Sequence, residues 1–85
     1  MAASTGTLTG IVTNDQHEPL GGVYVSIPGT DRFDITDSEG RYTIYGPPFR
    51  RYTVNYYRKG YKARRRLVIL RDGETTTVDV VLEEK

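Results

Sequence analysis

Short segments of alternating apolar and polar residues, each closed by a turn-forming cluster and spaced roughly ten residues apart, follow one another from Leu8 to Leu82. That punctuation leaves few folds open. Leu8 to Thr13 alternates and stops at Asn14-Asp15. Val23, Val25 and Ile27 share one face against Tyr24 and Ser26, until Pro28-Gly29 ends the segment. Arg32 to Thr36 is short and polar, as an edge strand tends to be. Tyr42 and Ile44 face inward with Arg41, Thr43 and Tyr45 outward, and Gly46-Pro47-Pro48 follows because neither proline can donate to a ladder. Tyr52, Val54 and Tyr56 alternate with Thr53, Asn55 and Tyr57 as the next inward and outward sets. Tyr61 to Leu70 is the longest segment, with Leu67 and Ile69 on one face. The last strand sets Thr76, Val78, Val80 and Leu82 against Thr77, Asp79, Val81 and Glu83.

Between the segments, Asp37-Ser38-Glu39-Gly40 is the strongest hairpin signal and predicts that Thr36 pairs with Arg41 across it. The loop Gln16 to Gly22, the Lys59-Gly60 turn and Arg71-Asp72-Gly73-Glu74 separate the others. Gly, Pro or β-branched runs break every helical period. About seven strands without a helix predict an all-β fold, a seven-stranded antiparallel β-sandwich of Greek-key type.

A chain of 85 residues allows one domain, expected over residues 7–83, with residues 1–6 as a disordered leader in which Met1-Ala2-Ala3-Ser4 reads as an appended start. Only 36% of the residues are apolar, so the core is modest and its stability with it. The absence of cysteine excludes disulfides and thiolate chemistry. No secretory signal or membrane-length apolar run occurs, so no membrane insertion is expected; an exported parent would carry its signal elsewhere.

The net charge of +1 conceals a polarised chain. Nine of the twelve cationic residues lie between Arg50 and Arg71, a stretch without an acid, whereas the first forty residues hold six acids and one arginine. Tyr45, Arg50, Arg51, Tyr57, Arg64 and Arg66 form the constellation to weigh as a ligand-binding group, because arginine forks beside exposed tyrosine suit an anionic glycan or an acidic protein face. The competing reading is an exposed sheet coated with Arg and Tyr for β-propensity and edge protection. His17 has no second histidine and no cysteine, and is read as a solvated loop residue rather than a metal ligand or base. Asp31, Asp34, Asp37 and Glu39 lack a calcium-loop register. Ser38 and the threonines have no base to activate them. No catalytic residue, metal or cofactor is expected.

The chain resembles the carboxypeptidase regulatory-like domain, a transthyretin-like (prealbumin-like) module. The resemblance rests on Gly10-Ile11-Val12 with Pro19 to Val25, Thr36 to Tyr42, Tyr52-Thr53-Val54, Gly60-Tyr61 and Val78 to Leu82. Five generic motifs in this order cover nearly the whole chain. One departure is Phe49-Arg50-Arg51, where members usually have glycine in the turn. The resemblance implies a non-catalytic accessory role and carries over no catalytic residue. Related hydroxyisourate hydrolases need histidines and a C-terminal Tyr-Arg-Gly-Ser, isopeptide-forming pilin modules need a lysine in the first strand, and starch-binding sandwiches normally present tryptophan; this chain has only His17, ends Leu82-Glu83-Glu84-Lys85, and has no lysine from Leu8 to Thr13 and no tryptophan.

The expectation is an accessory module of an extracellular or cell-envelope protein, a spacer or protein-interaction domain whose partners are neighbouring domains or another protein. The alternative is a binding module for anionic polysaccharide through the Arg/Tyr group. The low net charge and the lack of a nucleic-acid motif argue against nucleic acid.

Overall fold

The computed structural model describes residues 6–46, 50–71 and 73–85, Arg50 by its backbone alone. The expected leader therefore falls almost wholly outside the described residues, as do the prolines of the Gly46-Pro47-Pro48 stop. Among the described residues are eight strands: β1 (Gly6–Asn14), β2 (Tyr24–Ser26), β3 (Phe33–Ile35), β4 (Arg41–Gly46), β5 (Arg50–Tyr57), β6 (Arg64–Leu70), β7 (Thr75–Thr77) and β8 (Val80–Leu82). No described residue is helical.

They form two sheets. In the first, β1 is central, with β4 antiparallel on one side and β7 then β8 parallel on the other. The second is β3-β2-β5-β6, antiparallel throughout. Between them lies one core, to which β1 gives Leu8 and Val12, β4 gives Tyr42 and Ile44, β5 gives Val54 and Tyr56, and β6 gives Val68 and Leu70. Each such side chain contributes about 1.5–3 kcal/mol on burial, and strict two-residue alternation fixes which face of each strand supplies it.

The last strand departs from the expected sandwich in two ways: it is parallel to β1, and it breaks in two at Val78 and Asp79. A buried hydrogen-bond chain accounts for the break. Tyr42 Oη donates to the Val78 carbonyl oxygen (2.6 Å). A phenol has one proton, so the 2.7 Å contact between the two hydroxyls runs from Tyr56 Oη to Tyr42 Oη. The Val78 carbonyl is thereby turned toward the core. Asp79 Oδ1 accepts the Ile11 N–H at 2.9 Å, while the Val78 N–H still donates to the Thr9 carbonyl. Gly10 makes the approach possible, since a Cβ there would collide with the Val78 carbonyl oxygen. The two rings meet edge to face, centroids 5.6 Å apart.

The Asp37 turn is also placed differently from the expected hairpin. β3 and β4 belong to different sheets, so Thr36 and Arg41 do not pair. Thr36 is held to the β2 side: its N–H donates to the Val23 carbonyl, and its carbonyl accepts the Gly22 N–H. Its buried hydroxyl donates to the Leu20 carbonyl at 2.6 Å and accepts the Val23 N–H. Asp37 then starts the crossing. Its N–H donates to the Arg41 carbonyl, and its Oδ1 accepts the N–H groups of Glu39 and Arg41. Gly40 closes the corner at φ +78°, where a Cβ would also strike the Val12 carbonyl. The segment expected from Tyr61 begins as a strand only at Arg64, because Tyr61 instead bridges to Glu84.

Candidate interaction surface

The sandwich has two outer faces of different chemistry. On the first sheet, cross-strand register places Thr7 beside Tyr45 and Thr75, and Thr9 beside Thr43 and Thr77. This face is mostly small hydroxyls, with Ile11, Tyr45 and Val81 exposed among them. On the second sheet the outward positions are Phe33 and Ile35 of β3, Tyr24 and Ser26 of β2, Arg51, Thr53, Asn55 and Tyr57 of β5, and Arg65, Leu67 and Ile69 of β6.

The second face is apolar. Six of the nine exposed large apolar side chains among the described residues are on it: Tyr24, Phe33, Ile35, Tyr57, Leu67 and Ile69. Leu67, at 67% exposure, gains nothing from the core. Register gathers them in two groups: Tyr24 lies between Ile35 and Tyr57 with the Phe33 ring stacked on its own, centroids 5.5 Å apart, while Leu67 and Ile69 lie opposite Thr53 and Arg51, with Asn55 and Arg65 between the two groups. The outward positions include no carboxylate. Asp34 points the other way, and its Oδ2 accepts the Thr43 N–H of the first sheet.

The Arg/Tyr group expected from the sequence is divided by this geometry. Tyr45 is exposed on the first sheet, whereas Arg51 and Tyr57 are on the outer face of the second. Arg64 and Arg66 were expected to point outward but share the alternation face of Val68 and Leu70. They pair with Tyr56 and Val54, Arg64 being partly buried and Arg66 exposed. Arg50 pairs with Leu70 by its backbone, and its side chain lies outside the described residues. Arg65, which the sequence reading passed over, is the β6 arginine that faces outward with Leu67 and Ile69. The continuous run Leu67 to Leu70 conceals the phase of β6; its register with the clearly alternating β5 would have revealed it.

A hollow of about 400 Å³ opens between β5 and β6, lined by Asn55, Tyr56, Tyr57, Ala63, Arg64 and Arg65. Asn55 Oδ1 is buried there without a hydrogen-bond partner. No ion pair joins Arg51, Arg64 or Arg65 to another described residue, the pairs present being Arg41 with Glu39 and Arg32 with Asp31. Arg58 lies over the Tyr61 ring, 5.4 Å from its centroid.

Three carboxylates of the first half accept hydrogen bonds within the fold. Asp34 and Asp37 accept backbone N–H bonds, and Glu18 accepts the side-chain amide of Asn14. His17 occupies a left-handed turn at φ 66° in the loop that Asn14 closes through its own Oδ1. Among the described residues no three His, Cys, Asp or Glu side chains are grouped to hold a metal ion. No helix among them is long and apolar enough to cross a membrane.

Residues 7–83 match the model of the carboxypeptidase regulatory-like domain. No curated protein matches the chain. Among solved structures, a minor pilin of the gram-positive pathogen Streptococcus agalactiae is similar with a TM-score of 0.75 and 20% identity, over 100% of this chain and 47% of that one. A chain of a type II cohesin–X-dockerin complex from Acetivibrio cellulolyticus is similar with a TM-score of 0.71 and 21% identity, over 91% of this chain and 56% of its own. The 3-chlorocatechol 1,2-dioxygenase of Rhodococcus opacus reaches a TM-score of 0.75 at 10% identity, over 99% of this chain and 61% of the enzyme. This chain spans about half the length of these proteins, and at such identities the likeness is one of fold.

Proposed function

Because the chain belongs to the carboxypeptidase regulatory-like domain family, we propose that it is a non-catalytic accessory module of a larger protein, a sandwich that spaces neighbouring domains and docks against protein. The observation that carries this is the outer face of β3-β2-β5-β6, on which six of the nine exposed large apolar side chains among the described residues are gathered. A soluble domain exposes isolated apolar side chains freely, but a gathered patch marks a surface that another molecule covers. The pilin and cohesin–dockerin likenesses support placing the parent outside the cell or in its envelope.

A photo-crosslinking residue placed at Leu67 of the full-length protein tests this, with one at Thr43 as control. Protein adducts from Leu67 and none from Thr43 are expected. Equal yields, or none from either position, contradict the reading.

The polysaccharide reading is favoured by one observation, that Tyr57 and Arg65 line a hollow on the face that also carries Arg51. Amide NMR titration with heparin-like oligosaccharide tests it: salt-sensitive shifts confined to these residues and Arg64 support it, and an unchanged spectrum rejects it.

A further inference from the structure

We propose that the outer face of β3-β2-β5-β6 docks an acidic protein surface, one whose apolar side chains cover Tyr24, Phe33, Leu67 and Ile69 while a carboxylate enters the hollow beside Arg65. This rests on the docking reading above and adds the chemistry of the partner. Charge complementarity is the main argument. The outward positions of the four strands hold Arg51 and Arg65 and no acid, and neither guanidinium has an ion-pair partner among the described residues. An arginine fork matches a carboxylate with two parallel hydrogen bonds, a stronger contact than a neutral pair makes.

A second copy of this chain fits poorly. Two such faces laid together would bring arginine-rich strands against each other without a carboxylate between them, and like charges across an interface are penalised. The edge of β6 is guarded by the run Arg64-Arg65-Arg66, as natural sheets guard edges against strand addition, so the face is the surface left open.

The hollow supplies an anchor. It is lined by Ala63 and by residues of β5 and β6 that alternation divides between faces, Asn55, Tyr57 and Arg65 being outward. Strands about 4.8 Å apart and rising about 3.3 Å per residue give the face a footprint of roughly 15 by 25 Å. That is smaller than the roughly 800 Å² per partner of a standard stable interface. Binding is therefore weak, quickly reversible and salt-sensitive.

Selection of a displayed random peptide library, about twelve residues long, against the folded domain tests the chemistry. The enriched peptides are expected to combine apolar residues with two or more carboxylates. A synthesised winner should bind about tenfold more weakly to Arg65→Glu and severalfold more weakly to Leu67→Ser or Ile69→Ser, with Thr43→Ala unchanged. Its Kd should rise severalfold between about 50 and 200 mM salt. All four positions are exposed, and matching melting curves confirm that each variant folds. Failure to enrich any peptide, neutral or basic winners, indifference to Arg65→Glu, or displacement of the winner by heparin oligosaccharide at equal concentration would overturn the proposal. If winners lack carboxylates while Leu67 still crosslinks to protein in the full-length chain, the partner's chemistry is wrong and the docking reading stands. If the crosslink also fails, both fall.

Discussion

Tyr42 and Tyr56 are the residues on which the inner geometry turns. Burial pushes both phenols above their ordinary value. The folded protein therefore keeps protons that the unfolded chain releases near pH 10. Their contribution is complete below that pH and is lost as pH rises above it, with a slope of at most about 1.4 kcal/mol per pH unit for each hydroxyl. Urea unfolding followed from about pH 8 to 11 should show this decline. A Tyr42→Phe/Tyr56→Phe variant should be less stable at neutral pH, by about 1–3 kcal/mol for the unpaired Val78 carbonyl, yet flatter with pH. An equally steep variant would contradict the assignment. Gly10 supports the same arrangement: Gly10→Ala should destabilise by about 2–3 kcal/mol, because its Cβ meets backbone rather than a movable side chain. A melting temperature equal to the wild type would show that Val78 can move away freely.

At the scale of elements, the sequence pattern is most readable where alternation is clean. Tyr42 and Ile44 of β4, and Val54 and Tyr56 of β5, are buried as their spacing predicts, and Tyr52 packs against the core from partial exposure. The pattern is least readable where a side chain overrides a local rule. Asp37-Ser38-Glu39-Gly40 has hairpin chemistry, but the Thr36 hydroxyl ties the preceding residue to Leu20 and Val23, and the turn becomes a crossing between sheets. Val78 alternates like a strand residue, yet the phenol reaching its carbonyl comes from a strand distant in sequence. For the candidate surface, composition identified the basic stretch. It could not assign faces in Arg64 to Leu70, where three arginines precede four apolar residues without alternation. Pairing with β5 sets that phase and moves the emphasis from Arg64 and Arg66 to Arg65, Leu67 and Ile69.

Seen whole, the molecule has one sheet whose outer face is coated largely with threonine and one whose outer face is apolar and basic. A domain that acted only as an inert spacer would gain nothing from that asymmetry. An exposed apolar face also carries an aggregation risk that a covering partner removes. Hydroxyl-radical footprinting of the module within its full-length protein, compared with the isolated domain, tests this most directly, because it reads tyrosine, phenylalanine, leucine and isoleucine side chains on both faces at once. Tyr24, Phe33, Tyr57, Leu67 and Ile69 are expected to be protected in the full-length protein, with Tyr45 on the first sheet modified equally in both. Equal modification of all six, or protection of Tyr45 alone, would contradict the assignment of the second sheet as the docking face.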